Sequence, residues 1–148
     1  MKVGEKTLQN YVDTLIKTRR IKEFLNEKAP HKVSNGFRPI LSVVDQVAKK
    51  NPSHYSGMAL GSRTIQISCW ICADKDQSFA TVRHELAHCI QSWCDLAGSY
   101  HGRGFTTALK LVSQGTWRND RYWKSTPAVE QARQELSLIH ICRCRRAI

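Results

Sequence analysis

The chain has 148 residues, with 23 lysines and arginines against 12 aspartates and glutamates, and a formal net charge of +11. Such a length builds one domain whose core needs no crosslinks. No stretch approaches the roughly 20 apolar residues of a membrane span, and the opening MKVGEKTLQNYVDTL has no apolar h-region, so a soluble, cytoplasmic protein without membrane contact and with reduced cysteines is expected.

In chain order, residues 7–26 predict one amphipathic helix, with Leu8, Tyr11, Val12, Leu15 and Ile16 on one stripe and Phe24 and Leu25 near its end. Its basic residues Lys17, Arg19, Arg20 and Lys22 form either a solvated face or a phosphate contact. Residues 29–38 hold Pro30, Asn35 and Gly36 and read as a loop. Pro39 suits a helix first turn, and the spacing of Ile40, Val43, Val44 and Val47 predicts a short helix over 39–50 that Asn51 and Pro52 end. Strands follow over 53–60 and 63–71, joined by a hairpin turn at Gly61 and Ser62. Cys69 and Cys72 fall in that second apolar run. They read as structural, with a zinc knuckle or redox pair as the alternative; Cys89 and Cys94 read as helix-packing residues. His31 and His54 read as loop or surface residues.

The segment 78–105, SFATVRHELAHCIQSWCDLAGSYHGRGF, carries the chemistry. Phe79, Val82, Leu86, Ala87, Ile90 and Trp93 recur at helical spacing; Asp76 or Ser78 is placed to cap the start and Gly98 to terminate the helix. His84 and His88 stand one turn apart on one face and can offer imidazole nitrogens to a single Zn²⁺, while Glu85 stands beside the metal as a general base. His101, ahead of the flexible Gly102 and Gly104, is the natural third ligand. Gln91 and Cys94 occupy the positions where a metzincin needs Gly and His, and the next glutamate after Glu85 is Glu130, far along a basic, aromatic-rich segment, which makes a gluzincin a weak match. Residues 103–113 predict a supporting helix through Phe105, Ala108, Leu109, Leu111 and Val112. Beyond it, Trp117, Tyr122 and Trp123 interleave with Arg118, Arg121 and Lys124. Such a run either stacks bases and neutralises phosphates or covers the core with a snorkelling basic rim.

The last thirteen residues, LSLIHICRCRRAI over 136–148, resemble a translated sequencing adapter, the transposase mosaic end that contaminates metagenomic gene models. They are set aside as non-native, in preference to a basic tail or a Cys142/Cys144 metal or redox pair, which leaves a single domain over 1–135. Without Arg143, Arg145 and Arg146 the chain keeps 20 basic residues against 12 acidic ones, a net +8.

HELAH, a loop, and then HGRGF opening a helix resembles the SprT-like metallopeptidases, the family of the DNA-repair protease Spartan, across about residues 53–113 and most closely at His84, Glu85, His88, His101, Gly102 and Phe105. The resemblance implies an α+β, zincin-like fold with helices around a small β-sheet. It implies a zinc endopeptidase holding one Zn²⁺ and acting on protein or peptide, including DNA-associated or DNA-crosslinked protein, with DNA as a further partner. Tyr100 or Arg103 is placed to add an oxyanion or substrate contact, and residues 63–71 would be the edge strand that takes an extended peptide by β-augmentation. Longer members often add a C-terminal zinc ribbon; the departure from them here has two readings, a ribbon absent by nature or a gene model cut before it. A catalytically idle, metal-stabilised nucleic-acid-binding module is the alternative, favoured by the positive charge but not by Glu85.

Overall fold

A computed structural model describes residues 2–32, 36–48 and 55–146, with side chains through Leu136. The described elements are α1 (Glu5–Ile16), α2 (Arg19–Lys28), β1 (Ile40–Val44), β2 (Gly57–Leu60), β3 (Thr64–Ser68), α3 (Lys75–Trp93), α4 (Arg103–Ser113) and α5 (Pro127–Arg146). They form a mixed α+β fold with a three-stranded sheet in the order β1-β3-β2. β1 runs parallel to β3, in register from Ile40 with Thr64 to Val44 with Ser68, while β2 pairs antiparallel with β3. Alternation turns Leu41, Ile65 and Ile67 inward into the core that Val82, Leu86 and Ile90 of α3 share, with the site helix packed on β2 and β3 and α1 packed on β1. No described helix is long and apolar enough to cross a membrane.

Three local readings change. The single helix over 7–26 is two helices, because Leu8, Val12 and Leu15 are buried whereas the next positions at that spacing, Arg19 and Lys22, are exposed. Burying Ile21 and Leu25 requires a change of phase, which Thr18 provides in extended geometry, its hydroxyl donating to the Leu15 carbonyl at 2.7 Å. Of the basic face, Arg20 donates to the Leu111 and Val112 carbonyls at 3.0 and 3.2 Å, a cation at the C-terminus of α4, and Arg19 pairs with Glu23.

Second, the predicted helix over 39–50 is strand β1. Ile40, Val43 and Val44 are β-branched, and the Leu41 and Val43 amides donate to Gln9 Oε1 (2.7 Å) and Glu5 Oε1 (2.8 Å) of α1, while the Ile40 amide joins the ladder through the Arg63 carbonyl. Pro39 precedes the strand instead of opening a helix. Asn51, Pro52 and His54 lie outside the described residues; His31 is exposed.

Third, β3 is the central strand, so residues 63–71 are not the edge. The parallel partner β1 takes one side, β2 the other, and β3 ends at Ser68 ahead of a 3-10 turn at Ile71–Ala73. The hairpin turn at Gly61, with φ +64°, is as expected. The edge strand beside α3 is β2, and Gly57 is what lets it approach: a Cβ there would meet Thr81 Cγ2 at 2.8 Å, the Gln66 carbonyl oxygen at 3.0 Å and Glu85 Cγ at 3.1 Å. Gly57→Ala is therefore expected to cost about 1–3 kcal/mol, read as a lowered melting temperature, because the Gln66 main chain has no rotamer by which to yield.

The four cysteines among the residues with described side chains are free thiols: Cys72, Cys89 and Cys94 are buried and Cys69 is half-buried. Burial pushes the Cys72 thiol up to about 11, as suits a core residue and not a thiolate ligand. Trp117 and Trp123 pack against the core with cations over their rings, Lys110 at 4.7 Å and Arg118 at 4.8 Å from Trp117, Arg133 at 5.2 Å from Trp123. These two indoles take the core-covering role. In α5, Val129 is fully buried and Leu136 packs partly against the core.

Candidate metal centre

α3 begins earlier than its sequence suggests. Asp74, in extended geometry, is the N-cap and accepts from the Gln77 amide at 3.0 Å, so neither Asp76 nor Ser78 caps the helix. The helix closes at Trp93 with Asp95 at φ +51°; Gly98, at φ +112°, lies in the loop beyond rather than terminating it. That loop turns the chain back and delivers His101 just ahead of α4, where Phe105 is fully buried.

Three imidazoles converge. His101 Nε2 lies 3.2 Å from His88 Nε2 and 3.3 Å from His84 Nε2. Metal–nitrogen bonds of about 2.0–2.1 Å at tetrahedral angles put donor atoms about 3.3–3.4 Å apart, so both distances to His101 fit a shared four-coordinate ion, and the three donor atoms all lie within 4.8 Å of one another. The outer nitrogens fit as well. His84 Nδ1 donates to the Asp120 main-chain carbonyl at 2.8 Å, and a carbonyl only accepts, so the neutral ring presents its Nε2 lone pair inward. His88 Nδ1 donates to Gln91 Oε1 at 3.2 Å, the amide being oriented by its own Nε2 donating to the Ser99 carbonyl at 3.3 Å. Burial lowers the His84 pKa to about 4, which keeps the ring neutral near pH 7. His84, His88 and His101 are close enough to hold a metal ion, and among the described residues this is the one such cluster.

No family model, curated protein or solved structure matches this chain. What the centre can do follows from its geometry.

Phe105 floors it, its ring centroid 4.2 Å from that of His88, 4.8 Å from His84 and 5.0 Å from His101. Tyr100 stacks on His88 at 3.9 Å and 9°. Partial burial, then the charge of Glu85, raises the Tyr100 hydroxyl to about 12, so it remains a proton donor. Glu85, 5% exposed, lines the same cleft of about 170 Å³ as the three histidines and Tyr100. Arg103, the other sequence candidate for an oxyanion contact, is exposed at the start of α4 and does not line the cleft.

Sequence reasoning missed Asp120, Arg83 and Gln91. Gln91, three positions after His88 on one helix, is within reach of that ring and could have been found by spacing. Asp120 had one signal: it is the sole acid in the basic run WRNDRYWK over 117–124. Its carboxylate is gripped by Arg83 at 2.7 and 3.0 Å. Tyr122, 67% exposed, and Trp123 line the cleft from the same segment.

Proposed function

We propose that this chain is a zinc-dependent metallopeptidase of SprT-like type, cleaving peptide bonds in extended protein segments, DNA-associated proteins among them. The observation that carries the reading is the convergence of three imidazoles, with His101 Nε2 3.2 and 3.3 Å from those of His88 and His84, on one cleft that Glu85 also lines. His84, His88 and His101 would hold the ion, and imidazole donors with an open fourth position suit zinc. Zinc bound there supplies Lewis acidity, lowering the pKa of water to about 7 and polarising a carbonyl. The chain's own residues supply the rest. Glu85 takes a proton from the attacking water and returns it to the leaving amine. Tyr100, held protonated, donates to the developing oxyanion. The edge strand β2, next to Glu85 through Gly57, supports an extended substrate aligned along the cleft.

The test is zinc content by elemental analysis, with cleavage of a denatured protein measured with and without chelator and with and without single-stranded DNA. One equivalent of zinc, activity lost on chelation and activity restored by zinc are expected. Bound zinc with no cleavage, alongside salt-sensitive DNA binding, would overturn the peptidase in favour of a metal-stabilised nucleic-acid-binding module. His101→Ala removes one of three ligands and is expected to bring zinc after dialysis from one equivalent to near zero; retention at wild-type affinity would exclude His101 from the centre.

A further inference from the structure

Arg83 and His84 are consecutive on α3, and both grip a single residue far along the chain. Arg83 takes the Asp120 carboxylate from two sides, Nε at 2.7 Å from Oδ2 and Nη2 at 3.0 Å from Oδ1, while His84 Nδ1 donates to the main-chain carbonyl of that same aspartate at 2.8 Å. The Asp120 side chain is buried, 2% exposed, and that of Arg83 is part-buried at 20%. A third anchor comes from α1: Arg83 Nη1 donates to the Tyr11 hydroxyl at 3.0 Å, and the Tyr11 ring lies 4.6 Å from Phe79 of α3. Arg83 is therefore fixed at all three nitrogens, two on Asp120 and one on Tyr11.

We infer that Asp120 is a positioning residue for the metal centre: its carbonyl sets the tautomer and ring angle of His84, and the Arg83–Asp120 ion pair, braced by Tyr11, holds that carbonyl in place. This assignment rests on the metal-centre reading above. A carbonyl on a surface segment would let the His84 ring rotate and would leave Nδ1 and Nε2 to share the proton. Here the carbonyl cannot move without parting a two-point ion pair, which would strand a carboxylate in the interior. The arrangement needs both a fork and a charge. Lysine at position 83 would keep the charge but make a single-point contact, so it would hold Asp120 less rigidly. The segment is further tied by the Asp120 amide donating to the Trp117 carbonyl at 3.2 Å and the Asn119 amide to the Thr116 carbonyl at 2.9 Å. Residues 116–120 thus present the carbonyl from a closed turn.

The experiment compares wild type, Arg83→Met and Arg83→Lys on three readouts: zinc affinity by chelator competition, the His84 Nδ1 proton in ¹H–¹⁵N spectra of zinc-loaded protein, and the melting temperature. Loss of an outer partner to a ligand histidine typically weakens metal binding about 10- to 100-fold, which is expected for Arg83→Met, with a smaller loss in Arg83→Lys. The His84 Nδ1 proton should exchange faster in both variants, while that of His88, bonded to Gln91, is unchanged and serves as the internal control. Should Arg83→Met fail to fold, Arg83→Lys, which leaves no buried charge unpaired, decides alone. A lowered melting temperature with zinc affinity within about twofold of wild type and an unaltered His84 signal would overturn the proposal and leave the ion pair purely structural. Wild type that binds no zinc would instead overturn the metal centre itself, and this assignment with it.

Discussion

Glu85→Gln is expected to keep one equivalent of zinc and the native melting temperature while turnover falls by about 10² to 10⁴. The histidines, not Glu85, supply the nitrogens that converge, so the change leaves the ligand set intact. The amide is nearly isosteric with the carboxylate, which matters because the side chain is 5% exposed and packs under Gly57, where extra volume has nowhere to go. What glutamine lacks is basicity: its carbonyl can orient water but cannot take the proton. Steady-state cleavage of a denatured protein, paired with elemental analysis of the same preparation, is the measurement. Equal turnover in variant and wild type would remove the general base and the peptidase mechanism with it.

The second large effect is expected at Phe105. Its ring is fully buried and touches all three histidine rings, so Phe105→Ala should cost about 3–5 kcal/mol by opening a cavity directly beneath the ligands. For a chain of this size that corresponds to a fall on the order of 10 °C in melting temperature. Zinc affinity should fall as well, because His88 and His101 would lose the surface that fixes their ring planes. Phe105→Leu, which refills most of the volume, should recover much of the stability. Denaturant titration of the three proteins with and without zinc separates the two contributions, and a Phe105→Ala protein as stable as wild type would show that the rings are held from elsewhere.

The parts of this fold that were legible in the sequence are those whose cause is local. The helix of HELAH announces itself through Val82, Leu86 and Ile90 at helical spacing, and His101 through its glycine neighbours. α4 runs over the predicted residues because its buried stripe, Phe105, Ala108, Leu109 and Val112, is complete within eleven residues. β1 was not legible. Ile40, Val43 and Val44 fit a helix as well as a strand, and what decides between them is a parallel partner beginning at Thr64 and acceptors at Glu5 and Gln9. The same parallel pairing moved residues 64–68 to the middle of the sheet and left the edge to β2, a consequence no hairpin signal carries. At the site, the donor set was readable and its outer support was not, since Arg83, Asp120 and Tyr11 meet only through tertiary packing.

The side chains of Gln9 and Glu5 along β1 bear on how copies of this chain behave together. A terminal strand with unclaimed amides and an exposed isoleucine, here Ile40 at 48%, is a template for pairing with another copy and for aggregation. α1 occupies that template by accepting from the Leu41 and Val43 amides, in the way a further strand would, but with side chains that cannot propagate a ladder. Those two donors are thereby claimed on the flank away from β2, so a strand from another copy would find neither amide open to a ladder there.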